Sequence, residues 1–278
     1  MEHQINNNIL IIGPPNSGKT TFFAQLYGRI QSDAGVIKLR STPKNITAIE
    51  KAYDRLANGD ETESTPATDN REITIPIKWN EKELDLTFKD YGGEQVNEII
   101  NQLAYDKVWK NRTKDNDRWI LFIRPGEIYH HYDLTVTGYA DVDPASESDN
   151  WHNDLSHQYI FIELVQALLH ARAIGIKTDI ESPKLVVALT CWDELNTELT
   201  PNNILLQKMP LFLQFISTIW AEESLSIVGL SAQEFSLDNQ EAKDKYLDDL
   251  PESFGYIVTD SETKERDLTK LIEIALEL

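Results

Sequence analysis

The sequence predicts an α/β fold, a mostly parallel sheet with helices on both faces, on three observations. Short aliphatic runs such as "NILIIG", "RWILFIRP", "KLVVALT" and "LSIVGLSA" have the length and bounding residues of buried parallel strands. Between them lie longer stretches whose apolar residues recur at helical spacing, and a repeated β-then-α order requires a parallel-rich sheet. A single pair of alternating runs, "REITIPIKW" and "ELDLTFKD", flanks the turn "NEK" and predicts one antiparallel hairpin. These runs together make a six-stranded sheet.

Each element follows in chain order. "NILIIG" is the first strand, and "KTTFFAQLYGRIQ" is a helix with Phe22, Phe23, Leu26 and Ile30 toward the core. "ITAIEKAYDRLANG" gathers Ile46, Ile49, Ala52, Tyr53 and Leu56 on one helical face, with Gly59 as a stop. "DETESTPATDN" is polar and rich in turn formers, a loop leading into the hairpin. "SHQYIFIELVQALLHARA" is a helix between two buried strands. "PNNILLQKMPLFLQFISTIWAEE" is helical but must bend or break at Pro210. "LSIVGLSA" is read as the last strand and "KERDLTKLIEIALEL" as the closing helix. The whole chain, 1–278, reads as one domain with insertions at about 31–70 and 126–155.

Composition sets limits on function. The chain has 26 Lys+Arg against 46 Asp+Glu, a net charge of −20. That balance argues against general nucleic-acid binding and against an anionic membrane surface, since both are polyanions. One cysteine cannot form an internal disulfide, so a reducing compartment is expected. "MEHQINNNIL" lacks a basic start and a long apolar segment, and no run reaches the ~18 apolar residues of a membrane span. A cytoplasmic protein is expected.

The chemistry begins at "ILIIGPPNSGKT", residues 9–20. Gly13-x-x-x-x-Gly18-Lys19-Thr20 is a phosphate-binding loop, here with a strand before it and a helix after it. Its glycines allow successive N–H groups to point into one anion-sized nest, and the helix adds its positive end. Gly13, Pro15, Asn16, Ser17, Gly18, Lys19, Thr20 and Thr21 are the expected phosphate contacts. Lys19 can reach the β- and γ-phosphates, and the Thr20 hydroxyl can ligate Mg²⁺. "LTFKDYGGE" then supplies Asp90-x-x-Gly93: an acid at a strand end for Mg²⁺, usually through water, and a glycine N–H for the γ-phosphate. "TCWD" (190–193) and "SAQ" (231–233) end two further strands.

Landmarks in this order resemble the Ras-like, translation-factor-related (TRAFAC) class of P-loop GTPases, over nearly the whole chain. The resemblance implies a three-layer Ras-like G domain that hydrolyses GTP to GDP and phosphate with Mg²⁺ and switches a protein effector. The helix-bearing insert before the switch loop is similar to bacterial double-GTPase-type domains, which tend to occur beside partner or effector proteins in conflict systems. By resemblance Thr190 and Asp193 belong to the base-reading motif. Asp193 would accept from the N1–H and exocyclic amine of guanine, a donor pair that adenine lacks. Ser231 and Ala232 would shape the wall near O6 of the base. The family lysine, whose stem lies on the base, is replaced here by Cys191.

The same resemblance assigns the remaining roles. A switch threonine would complete the Mg²⁺ shell; Thr65 and Thr68 compete for it, and Thr68 has the better distance from the next strand. Glu94 stands where relatives have a water-orienting glutamine, which implies slow intrinsic hydrolysis because a carboxylate repels the γ-phosphate. "GPPNSGKT" also resembles the phosphate loops of potassium-activated GTPases, in which the asparagine oxygen helps hold K⁺. Asn16 therefore has two readings, a K⁺ ligand or a turn residue. Without K⁺, an arginine from a partner or from homodimerisation would be needed. Competing functions are a nucleotide-binding assembly module without turnover, an ATP-using P-loop protein, and a small-molecule kinase, which would need a basic lid that is not visible.

Overall fold

A computed structural model describes residues 8–33, 35–43, 45–63, 70–91, 94–102, 104–128, 156–260 and 264–278. Thr65, Thr68, Gly92, Gly93 and residues 129–155, which hold most of the second expected insertion, lie outside the described residues. The first half comprises β1 (Ile9–Ile12), α1 (Lys19–Gln31), β2 (Lys38–Leu39), α2 (Thr47–Ala57), β3 (Asn70–Trp79), β4 (Lys82–Tyr91), α3 (Glu94–Gln102), α4 (Lys107–Asp115) and β5 (Arg118–Ile123). The second half comprises α5 (His157–Ala171), β6 (Lys184–Thr190), α6 (Pro201–Lys208), α7 (Pro210–Ile219), β7 (Leu225–Ser231), α8 (Gln240–Asp248), β8 (Tyr256–Val258), β9 (Lys264–Glu265) and α9 (Lys270–Glu277).

The main sheet runs β1-β5-β6-β7-β8-β9. Its first four strands are parallel, and β8 and β9 add on antiparallel at one edge. The predicted hairpin forms as β3 and β4 around Asn80 and Glu81, with Asn70 opposite Tyr91 at its open end. It joins β2 in a separate three-stranded sheet. The sheet of six therefore closes with β8 and β9 rather than with the hairpin, and "LSIVGLSA" is not the last strand. At three and two residues, these edge strands are too short to carry an alternating pattern.

Strand residues alternate between two apolar layers, as a sheet covered on both faces requires. Ile9, Ile11, Ile120, Phe122, Val186 and Ala188 face α1, α9 and the hairpin. Leu10, Ile12, Leu121, Ile123, Val187 and Leu189 face α3 through α7. In α1 the predicted quartet Phe22, Phe23, Leu26 and Ile30 is buried. Pro210 breaks its stretch as expected: α6 ends at Lys208, and Pro210 starts α7, where the missing N–H costs nothing. Residues 31–70 contain β2 and α2, and α2 packs Ala52 and Leu56 against Ala242 and Tyr246 of α8. Among the described residues, no helix is long and apolar enough to cross a membrane.

Candidate functional site

Five parts of the fold converge on one cleft of about 310 Å³ at the carboxyl ends of the parallel strands. They are the phosphate loop, residues 61–63, Arg124 after β5, the 190–194 turn after β6 and the 230–236 segment at the end of β7. A cleft outside the carboxyl ends of parallel strands is the expected ligand position in such a sheet.

The phosphate end is built by the β1–α1 turn. Gly18 has φ +80° and Asn16 φ +60°, so the loop curls through left-handed backbone that only glycine adopts without strain and that asparagine tolerates. Helix α1 then begins with no side-chain cap and no acid in its first turn. By contrast, Asp106, Ser156, Thr200 and Asn239 cap α4, α5, α6 and α8. The α1 N-terminus thus borders the cleft without a side-chain cap, and its dipole favours an anion there. Lys19 is buried and folds back over the loop. Its Nζ donates to the carbonyls of Gly13 (2.8 Å) and Pro14 (2.7 Å) and to Ser17 Oγ (3.3 Å). Ser17 Oγ also donates to Pro14 O at 2.8 Å, which braces the turn.

Pro15, Thr20 and Thr21 line the cleft beside the loop. The Thr21 and Thr62 hydroxyls lie 2.8 Å apart, tying α1 to the segment that leads toward Thr65 and Thr68. Glu61 and Glu63 flank Thr62 at the cleft, although the sequence reads as a plain acidic loop there. Asp90 is the penultimate residue of β4, and Glu94 opens α3. Among the described residues, no group of three or more His, Cys, Asp or Glu side chains is arranged to hold a metal ion.

The opposite end of the cleft is built around Asp193. Cys191 turns the chain with φ +50°, and the segment Trp192–Leu195 closes as a 3₁₀ turn. Ser231, fully buried, donates from Oγ to Asp193 Oδ1 at 2.5 Å and accepts from Glu234 N at 2.9 Å. Ser231 thus orients Asp193 from behind, while Ala232 lines the cleft wall. Thr190 Oγ1 donates to Ile123 O at 3.2 Å, locking the ends of β5 and β6 together. From the other side, Tyr246 OH donates to Gln233 O (2.6 Å) and accepts from Gln25 Nε2 (3.1 Å), so the 231–234 loop is tied to α1.

Trp192 faces the interior, with only 3% of its surface exposed. It packs over Gly229, where an added Cβ would lie 2.6 Å from the indole ring. Gly229→Ala must therefore displace a ring that anchors the Asp193 turn. It is expected to cost about 1–3 kcal/mol, read as a lower Tm in thermal denaturation. With Trp192 committed to the core, it offers the cleft no apolar surface. The Cys191 thiol is pushed up to about 12 by burial and stays neutral.

Two cleft residues give no signal as a sequence motif. Arg124 donates from Nε (3.1 Å) and Nη2 (2.6 Å) to the two carboxylate oxygens of Glu194, and from Nη1 to Glu127 (2.8 Å). The hydrogen bonds with Glu194 raise the Arg124 pKa further, so it is always charged. Only the neighbour relation of β5 and β6 brings residues 124 and 194 together, and that pairing is not visible in local spacing.

No curated protein matches the sequence. Among solved structures, the Arl6 (BBS3) small GTPase from Trypanosoma brucei with bound GppNp aligns with a TM-score of 0.41 and 10% identity, covering 87% of this chain and 94% of that one. The Methanosarcina barkeri Roco2 RocCORdC structure bound to GDP aligns at TM-score 0.33 and 14% identity, over 90% of this chain and 51% of that one. A bacterial selenocysteine-specific elongation factor aligns at TM-score 0.35 and 15% identity, over 86% of this chain and 28% of that one. The sequence model of one family, Double-GTPase 1, matches residues 10–275. That match runs from within β1 into α9, and by it the chain belongs to the Double-GTPase 1 family.

Proposed function

We propose that the protein binds GTP with Mg²⁺, hydrolyses it to GDP and phosphate, and uses the two states to switch a partner protein. The observation that carries this reading is that one cleft joins an uncapped helix N-terminus to a carboxylate held by a buried serine. The first suits a phosphate chain, and the second suits the donor edge of guanine. On this reading Lys19 leaves the Gly13 and Pro14 carbonyls and donates to the β- and γ-phosphates.

The donor set also suits a hard divalent cation, since the Thr20 hydroxyl, Asp90 and Thr68 all offer oxygen. Carboxylates outnumber cations along the cleft: Glu61, Glu63, Asp193 and Glu194 stand against Lys19 and Arg124. A triphosphate entering that field would need its charge offset, which Mg²⁺ held by Thr20, Asp90 and Thr68 would supply. Thr68 would close over the γ-phosphate, Gly93 would donate its N–H to it, and Glu94 would accept a proton from the attacking water.

Phosphate release from GTP tests the reading. Slow Mg²⁺-dependent turnover is expected, faster in KCl than in matched NaCl, with the difference lost in Asn16→Ala. Equal rates in the two salts would leave Asn16 as a turn residue and require an arginine in trans. GTP binding with no phosphate release, with and without candidate partners, would instead make the protein a nucleotide-held assembly module.

A further inference from the structure

We propose that Arg124 is the surface on which the base of the bound nucleotide lies, in place of the lysine whose position holds Cys191. The inference rests on the guanine-nucleotide reading above. A base needs a flat or apolar partner on its face as well as a carboxylate on its edge. In this chain the usual residue is a small neutral thiol, and Trp192 is turned into the core. The cleft must fill that role from elsewhere.

Arg124 has the position for it. The last registered pair between β5 and β6 is Ile123 with Leu189, so Arg124 leaves its strand one residue further on, beside Thr190 and Cys191. The Thr190-to-Ile123 hydrogen bond fixes that neighbourhood, and Arg124 lines the same cleft as Cys191 and Asp193.

Arg124 also has the geometry. Nε, Nη1 and Nη2 each donate in the guanidinium plane to a carboxylate, two on Glu194 and one on Glu127. An arginine that clamps phosphate keeps its fork open toward the anion. This one has spent its fork on two acids, which hold the plane and offset its charge. Those bonds use only its N–H edge and not its flat face, and guanidinium planes stack on aromatic rings and bases. Its side chain is 27% exposed, enough to present that face. Glu194 directly follows Asp193, so the contact that orients the plane also fixes the turn bearing the base-reading acid.

Titration calorimetry with GDP·Mg²⁺ and with inorganic tripolyphosphate·Mg²⁺ separates base contact from phosphate contact. For Arg124→Ala the expected result is about a tenfold or greater loss of GDP affinity, with tripolyphosphate affinity unchanged within about twofold. Adding Cys191→Lys to that variant should recover most of the GDP affinity, which a merely structural role for Arg124 would not allow. Should Arg124→Ala fail to fold, Arg124→Lys keeps the cation and loses the plane, and the same base-dependent loss is expected. Unchanged GDP affinity overturns the proposal while leaving the guanine reading intact. So does an equal loss for both ligands, which would make Arg124 a phosphate contact. Wild-type protein that binds tripolyphosphate but not GDP would remove the guanine reading, and this inference with it.

Discussion

Lys19→Ala is expected to lower GTP affinity by at least about 30-fold, and by up to about a thousandfold, the range for truncating one partner of a buried, charge-assisted contact. The residue is 8% exposed, and its ammonium group is held within 2.7–2.8 Å of two loop carbonyls. It is thus pre-positioned at the centre of the loop, and little side-chain entropy remains to be lost when phosphate replaces those carbonyls. Alanine removes Lys19, which with Arg124 is one of two cations among the described residues of a cleft already rich in carboxylates. The Gly13 and Pro14 carbonyls also lose a donor, so some stability falls with it. Calorimetric titration with GTP·Mg²⁺, set beside thermal denaturation of the same sample, separates the two losses. A folded variant with wild-type affinity would contradict the assigned role.

The second large effect is expected at Asp193. Ser231 Oγ donates to Oδ1, which fixes that oxygen and leaves Oδ2 for a ligand. Asp193→Asn keeps the Ser231 bond if the amide oxygen stays at Oδ1, and then turns the ligand-facing atom from acceptor to donor. Guanine presents donors there, so donor meets donor in a desolvated site, and GTP affinity should fall by more than about 100-fold. Xanthine carries an oxygen where guanine has its amine, so the same variant should gain affinity for the xanthine nucleotide. Competition titrations with the two nucleotides check both directions. A variant that keeps its guanine affinity would mean that Asp193 does not touch the base.

Legibility from sequence followed the length of each signal. Strand β1, helix α1 and the hairpin lie where the pattern puts them, because α1 and the hairpin carry long apolar periods and β1 is a fully apolar run bounded by polar residues and a glycine. Helices α3, α4 and α8 are not legible in the sequence. Each is nine residues long, and α4 is mostly charged or polar, with Trp109 as its one large buried apolar anchor. The phosphate loop was legible because strand, loop and helix are contiguous in sequence, so spacing alone fixes geometry. Ser231 behind Asp193, Thr62 beside Thr21, and Arg124 beside Glu194 join residues 38, 41 and 70 positions apart in sequence, which no local pattern records. Trp192 shows the same limit: its local sequence does not say which way it points, while Gly229 on the neighbouring strand makes room for it in the core.

The central claim is that this cleft selects guanine. Its most direct test is competition of GTP·Mg²⁺ and ATP·Mg²⁺ for the wild-type protein at one site. An acceptor carboxylate aimed at the base edge predicts that GTP wins by at least about 100-fold. Equal displacement by ATP and GTP would contradict the claim and leave a phosphate loop without base selection.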